Sequence, residues 1–227
     1  MGAGRLIPDR DEYLRRWSVL HSDLKPSLLV RRWLSVCYVC ARPLVALRVP
    51  PLAVTMAGVL ISGGVPALCI PAGRYVFLAA FLTVLSGVLD NLDGALAALT
   101  DRATRFGGVA DALADRLADT AYLLALWLLG APGWLVGLGA GITFLQEYLR
   151  ARAAGLGVTE NGIITVWERP TRVLLVAFLL LGGGVRPGHA DGIATIGAAA
   201  ALALSVLGIA QLLPSLHRSL TKPTPSS

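Results

Sequence analysis

Residues 86–115 read SGVLDNLDGALAALTDRATRFGGVADALAD, and they place carboxylates at Asp90, Asp93, Asp101, Asp111 and Asp115 in a run that begins apolar. Carboxylates at bilayer depth are costly and mark functional sites. Asp90 and Asp93 are three apart and share one helix face; Asp111 and Asp115 are four apart and share another. The connection between the two segments is short, so the helices are expected to be antiparallel neighbours with the two pairs facing each other. Four converging carboxylates cannot all stay ionised without a cation. Oxygen-only ligands favour Mg2+ or Mn2+. Carboxylate-held magnesium commonly keeps positions for substrate phosphates, which points to a phosphate-bearing substrate. Gly94, Ala95, Ala97, Gly107 and Gly108 leave space for a substrate, or for a neighbouring helix, against the backbone. Asp119 lies one turn further along the face of Asp111 and Asp115, either supporting the site or serving as a polar group inside the bundle. Asp101, in the connection, reads as solvated.

The elements that must position these acids are membrane helices. The chain has 227 residues, 55% of them hydrophobic and only 15% charged, with a mean hydropathy of +0.67. A soluble domain of this size carries closer to a quarter charged residues. Several runs approach the roughly 20 apolar residues that a transmembrane helix needs. Helices satisfy their own backbone polar groups in lipid, and the Ala- and Leu-rich composition favours them over a barrel. The fold expected is therefore all-α and polytopic. No secretory signal peptide is expected, because the chain opens polar and charged. Three cysteines give no disulfide framework, and Cys37 and Cys40, a lone C-x-x-C in an apolar stretch, read as packing residues.

Residues 1–24 form a polar lead-in. Residues 25–48 mix Lys25, Arg31, Arg32, Arg42 and Arg48 with Leu28, Leu29, Trp33, Leu34, Tyr38 and Leu44, and Arg42-Pro43 interrupts the apolar part. This reads as an interfacial amphipathic segment rather than a span. Six spans follow within 49–214, near 52–70, 75–98, 108–130, 133–153, 169–185 and 192–213, and a tail occupies 215–227. PAGR (71–74), GAPG (130–133) and RPGH (186–189) are turn-like joints. Six spans put both termini on one side. Of the twenty basic residues, only Arg74 and Arg186 then fall opposite. The positive-inside rule makes both termini cytoplasmic, and the same count argues against residues 31–48 as a seventh span. The net charge of +6 is spent on topology, so nucleic acid is not expected as a partner.

The aspartate stretch resembles the signature of the CDP-alcohol phosphotransferases, D-x2-D-G-x2-A-R-x8-G-x3-D-x3-D. Here it reads Asp90, Asp93, Gly94, Ala97, Ala98 at the arginine place, Gly107, Asp111 and Asp115, with every spacing kept. PPLAVTMAG (50–58) is similar to the P-N-x-x-T-x-x-G that opens the family's first span, with Thr55 at the threonine place and Leu52 at the asparagine place. EYLRARAAGLG (147–157) and ERPTR (168–172) look like segments of the actinobacterial phosphatidylinositol phosphate synthase branch. The resemblance implies a six-helix membrane enzyme of phospholipid biosynthesis, a homodimer, working at the cytoplasmic face of a bacterial membrane among its lipids. It would transfer a phosphatidyl or related group from a CDP-diacylglycerol-like donor to a polyol or polyol phosphate, releasing CMP. It also implies roles. Asp90, Asp93 and Asp111 would hold two Mg2+ or Mn2+ ions on the donor diphosphate. Asp115 would complete the metal site and act as general base. Gly94, Ala97 and Gly107, with Thr55, would line the donor pocket. Arg150, Arg152 and Arg172 would bind an acceptor phosphate, favouring inositol phosphate or glycerol phosphate.

Some positions depart from that pattern. Arg102 or Arg105 is expected to replace in part the guanidinium missing at Ala98, and an arginine restored there is expected to raise donor affinity. Arg150 stands where a lysine is usual, and Glu147 stands near a small serine, where an acid would repel an incoming phosphate. The alternatives are a divergent or inactive family member with an altered donor, an intramembrane prenyltransferase, and a divalent-cation transporter. The last would keep its acids near the bilayer midplane rather than at one end.

Overall fold

The computed structural model describes residues 8–20, 28–158 and 164–221, and these are helical with no strand among them. The helices are α1 (Arg10–Leu20), α2 (Leu28–Ala46), α3 (Pro51–Cys69), α4 (Tyr75–Thr100), α5 (Arg105–Leu128), α6 (Gly133–Ala154), α7 (Arg169–Val185) and α8 (Ala190–Leu220), with a 3-10 turn over Pro187–His189 before α8. A helix stands at each of the six places where a span is expected. Three stretches are long and apolar enough to cross a membrane: Pro51–Cys69, Tyr75–Thr100 and Pro187–Leu220. The other three helices differ for plain reasons. α7 has 17 residues, α5 carries Asp111, Asp115, Arg116 and Asp119, and α6 carries Glu147, Arg150 and Arg152.

The chain divides into two compact units. The first takes residues up to Ile61 together with Leu85–Asp115; the second takes Ser62–Val84 and Arg116 onward.

In the first unit, the expected lead-in holds α1. Asp9 caps it, its Oδ1 accepting the Glu12 N–H at 2.8 Å. Glu12 pairs in turn with Arg15 and Arg16. This D-x-x-E start satisfies an orphan donor and places acids at the positive end of the helix dipole. Tyr13 and Leu14 then point into a core shared with Leu34, Cys37 and Ala41 of α2, Val54 of α3, and Leu92, Ala95, Leu96, Ala98 and Leu99 of α4. Burying a large apolar side chain contributes about 1.5–3 kcal/mol, so α1 is a seated part of this unit. α2 is amphipathic as expected, burying Leu34, Cys37 and Ala41 and exposing Arg31, Arg32 and Val39. It does not stop at Arg42-Pro43. Pro43 sits in its last turn, where the missing N–H costs a single backbone bond. The helix ends where Arg48 turns left-handed (φ 57°) and Val49 N–H reaches the Leu44 carbonyl at 3.0 Å. Cys37 is a packing residue, and burial pushes its thiol up to about 11, away from metal or redox use. Lys25 and the side chain of Leu29 lie outside the described residues.

The core of the second unit gathers Val65, Val76, Ala79, Ala80, Tyr122, Leu126, Trp167, Val176, Leu180 and Ala198. α8 buries a stripe of small residues, Ala194, Gly197, Ala198, Ala201, Ser205 and Gly208. Small residues let helix backbones approach closely. A Cβ at Gly208 would stand 2.5 Å from Gln146 Oε1 and 3.0 Å from Trp167 Cβ, so a larger residue there would have to push both side chains aside. The GAPG joint works through Gly130, at φ 109°, beside Asp191.

Candidate active site

α4 and α5 are positioned by the short link between them. α4 ends as Asp101 turns left-handed (φ 55°) and Arg102 N–H bonds the Ala97 carbonyl at 3.1 Å. Thr104 starts α5, its Oγ1 accepting the Gly107 N–H at 2.9 Å. With the link so short, Asp90 and Asp93 of α4 meet Asp111 of α5. Each offers a carboxylate oxygen within 4.8 Å of the others. Asp93 is buried, 6% exposed, and Asp90 and Asp111 are half-buried. Thr55 Oγ1 of α3 donates to Asp93 Oδ2 at 2.6 Å. Three converging carboxylates repel one another, and a hard divalent cation offsets that repulsion. The all-oxygen donor set fits Mg2+ or Mn2+.

Of the four signature aspartates, these three form the cluster. Asp115 is half-buried one turn further along α5. Asp101 is exposed, as expected of a solvated link residue. Gly94 faces open space beside Asp93, with no atom within 4 Å of where a Cβ would stand. Ala97 is half-buried. A Cβ at Gly107 would stand 3.0 Å from Thr104 Oγ1, which ties that glycine to the start of α5. The placement of Thr55 gives it a supporting role toward a ligand carboxylate. Thr55→Val is therefore expected to weaken Mn2+ binding by about 10–100-fold, the usual effect of losing such a partner. Titration calorimetry on the variant checks this; unchanged affinity would remove Thr55 from the site.

Arg102 and Arg105 are both exposed. The cation that reaches Ala98 comes instead from α1: Arg16 Nη1 lies 3.4 Å from the Ala98 carbonyl oxygen, while its Nε donates to Glu12 Oε1 at 2.7 Å. A cation at the carbonyl end of α4 is favoured by the helix dipole. The sequence signals for this were the Asp9–Glu12 cap and the Glu12–Arg16 spacing. Ala98 itself is 3% exposed, in the cluster that seats Tyr13 and Leu14. An arginine there would have to displace the residues that bury it. Ala98→Arg is thus expected to unseat α1 and cost about 1–3 kcal/mol from overpacking, read as a lower melting temperature and faster proteolysis near α1. Tighter donor binding at an unchanged melting temperature would favour the phosphate contact instead.

Arg150, Arg152 and Arg172, expected on the acceptor side, lie in the second unit, and Arg150 and Arg172 are held by acids. Arg172, 5% exposed, lies 3.1 Å from Asp119 Oδ2 and 3.0 Å from Glu147 Oε1. Arg116 lies 3.4 Å from the same Asp119 oxygen and 3.3 Å from Glu147 Oε2. Each acid thus bridges both arginines. Arg150 makes a two-pronged pair with Glu168 and reaches Thr165 Oγ1 at 3.2 Å. Glu168 also accepts the Thr165 N–H at 2.7 Å. Burial alone would raise the Glu168 carboxyl, but Arg150 and the Thr165 N–H outweigh it and hold it below the usual range. Arg152 is exposed on the last turn of α6. Trp167 Nε1 donates to Thr143 Oγ1 at 2.8 Å, anchoring the α6–α7 connection. Residues 159–163 of that connection lie outside the described residues.

The geometry, a carboxylate trio on α4 and α5 with an adjacent glycine left open, fits a metal ion beside an open stretch of backbone. The family model for CDP-alcohol phosphatidyltransferase matches residues 30–210. The chain is 34% identical over 155 residues to the phosphatidylinositol phosphate synthase of Corynebacterium glutamicum, covering 64% of this chain and 69% of that protein. It is 32% identical over 161 residues to the archaetidylinositol phosphate synthase of Methanothermobacter thermautotrophicus, covering 68% and 75%. Among solved structures it is similar to Mycobacterium tuberculosis phosphatidylinositol phosphate synthase with CDP-DAG bound, at a TM-score of 0.66 and 25% identity over 85% of this chain and 99% of that one. A signature kept in all its spacings, a carboxylate cluster built from it and a match across most of the chain agree: the chain belongs to the CDP-alcohol phosphatidyltransferase family.

Proposed function

We propose that this transferase moves a phosphatidyl or similar phosphoalcohol group from a CDP-diacylglycerol-like donor to a hydroxyl of a polyol or polyol phosphate, with release of CMP. The observation that carries this is the Asp90–Asp93–Asp111 cluster, its oxygens within 4.8 Å of one another. Those three residues would hold the Mg2+ or Mn2+ ions, two by family resemblance. When bound, the ions supply positive charge against the charge developing on the donor diphosphate. Asp115 takes the proton of the acceptor hydroxyl. Gly94, Ala97 and Gly107 admit the cytidine part of the donor, and Thr55 orients Asp93. Arg102 and Arg105 are exposed enough to meet the donor's phosphates from solvent. Arg150, Arg152 and Arg172 make up the acceptor side. α3 to α8 are read as the six spans, with α1 and α2 at the interface, both termini and the site on the cytoplasmic side, and the protein working as a homodimer. Lys222, part of the basic count behind that orientation, lies outside the described residues.

The test is CMP release from CDP-diacylglycerol with Mg2+ and a candidate alcohol, run on wild type and Asp115→Asn. The variant should keep Mn2+ binding and lose turnover. Substantial residual turnover would remove the base assignment. The buried Ala98 supports a second reading, a family member with an altered donor; Mn2+ binding without CMP release from CDP-diacylglycerol would favour it.

A further inference from the structure

The second unit holds three arginines and three acids already matched with one another: Arg116 and Arg172 with Asp119 and Glu147, and Arg150 with Glu168. Two of the three acceptor-side arginines are thus spoken for before any ligand arrives. Arg152, the third, is exposed at the end of α6. We propose that Glu147 is a specificity-determining residue that occupies the arginines in place of a ligand phosphate, so that this chain takes an uncharged polyol as acceptor. The proposal rests on the transfer reading above.

The physical case is one of competing anions. For a phosphate to engage the terminal nitrogens of Arg172 it must displace Glu147 or Asp119 from 3.0 Å or 3.1 Å. The displaced carboxylate would keep only Arg116 as a partner and would sit beside a second anion. For Asp119, 3% exposed, water cannot compensate that loss. Like charges brought together are a device for excluding a ligand. A hydroxyl displaces nothing. The Nε groups of Arg150 and Arg172 are buried without hydrogen-bond partners among the described residues, and each suits a hydroxyl oxygen. In the transfer, the acceptor oxygen bonds the lipid-bearing phosphorus and the bond from that phosphorus to the CMP oxygen breaks. The hydroxyl proton passes to Asp115 and then to water. No step needs a phosphate on the acceptor.

The experiment measures kcat/KM for CMP release by the full chain in CDP-diacylglycerol vesicles with Mg2+. The acceptors are inositol and glycerol against their monophosphates. Wild type should prefer the uncharged members by about tenfold or more, and Glu147→Ser should shift that ratio toward the phosphates by roughly ten- to a hundredfold, the worth of a charge-assisted contact. Glu147→Gln, which keeps the side-chain shape, should shift it in the same direction and stands in if the serine variant does not fold. Preference of wild type for a monophosphate overturns the proposal, as does an unchanged ratio in both variants. Absence of CMP release with every alcohol, Mn2+ binding intact, is a different outcome: it overturns the transfer reading and this proposal with it.

Discussion

The Asp93→Asn variant is expected to lose CMP release by about a thousandfold or more, since a metal's charge stabilisation is worth several kcal/mol and each ~1.4 kcal/mol is tenfold. Asp93 is the most buried of the clustered carboxylates, and Thr55 fixes its orientation from α3. Asparagine keeps an oxygen to accept the Thr55 hydroxyl bond, so the helix packing should survive. What it removes is a full negative charge from the metal site. The expected signature is a large drop in kcat, weaker Mn2+ binding and an unchanged melting temperature. Activity within a few-fold of wild type at saturating Mn2+ would show that the cluster does not serve the reaction.

The Arg172→Ala variant should show the opposite pattern, a large loss of stability. Arg172 and Asp119 have side chains 6% and 3% exposed. Removing one partner of a buried ion pair costs about 3–5 kcal/mol, because the remaining charge is left in a poor solvent. Here Arg116 stays as a second partner to both Asp119 and Glu147, which places the expected loss toward the lower end of that range. Thermal unfolding in detergent is the measurement. Pairing Arg172→Met with Asp119→Leu should recover most of the loss, since replacing both members by apolar groups is often neutral. A melting temperature unmoved by Arg172→Ala would mean that the ion pairs are not part of what holds α5, α6 and α7 in the second unit.

The two variants also separate the two units by phenotype. One unit gathers three carboxylates whose oxygens lie within 4.8 Å of one another. The other is already balanced, arginine against acid. This contrast is the ground for proposing that the donor phosphates meet the aspartates and that the acceptor is uncharged. Family membership sets aside the prenyltransferase and cation-transporter alternatives.

The sequence by itself determined α3 to α8 and the candidate ligands. Apolar runs and turn residues are local signals, and α3 to α8 stand where those runs lie. The three- and four-residue spacings of Asp90, Asp93, Asp111 and Asp115 are likewise local, so a shared helix face could be read directly. Tertiary structure decided which groups meet. Arg172 and Glu147 are 25 positions apart, Arg150 and Glu168 are 18, and Arg16 and Ala98 are 82. No periodicity reports such pairings, because they depend on how each helix is rotated about its own axis when it packs. That rotation turned the arginines toward acids, brought three signature aspartates rather than four within ligand distance, and seated α1 over Ala98. The small residue at that place was visible in the sequence. That it serves as the floor beneath Tyr13 and Leu14 follows only from the packing of the first unit.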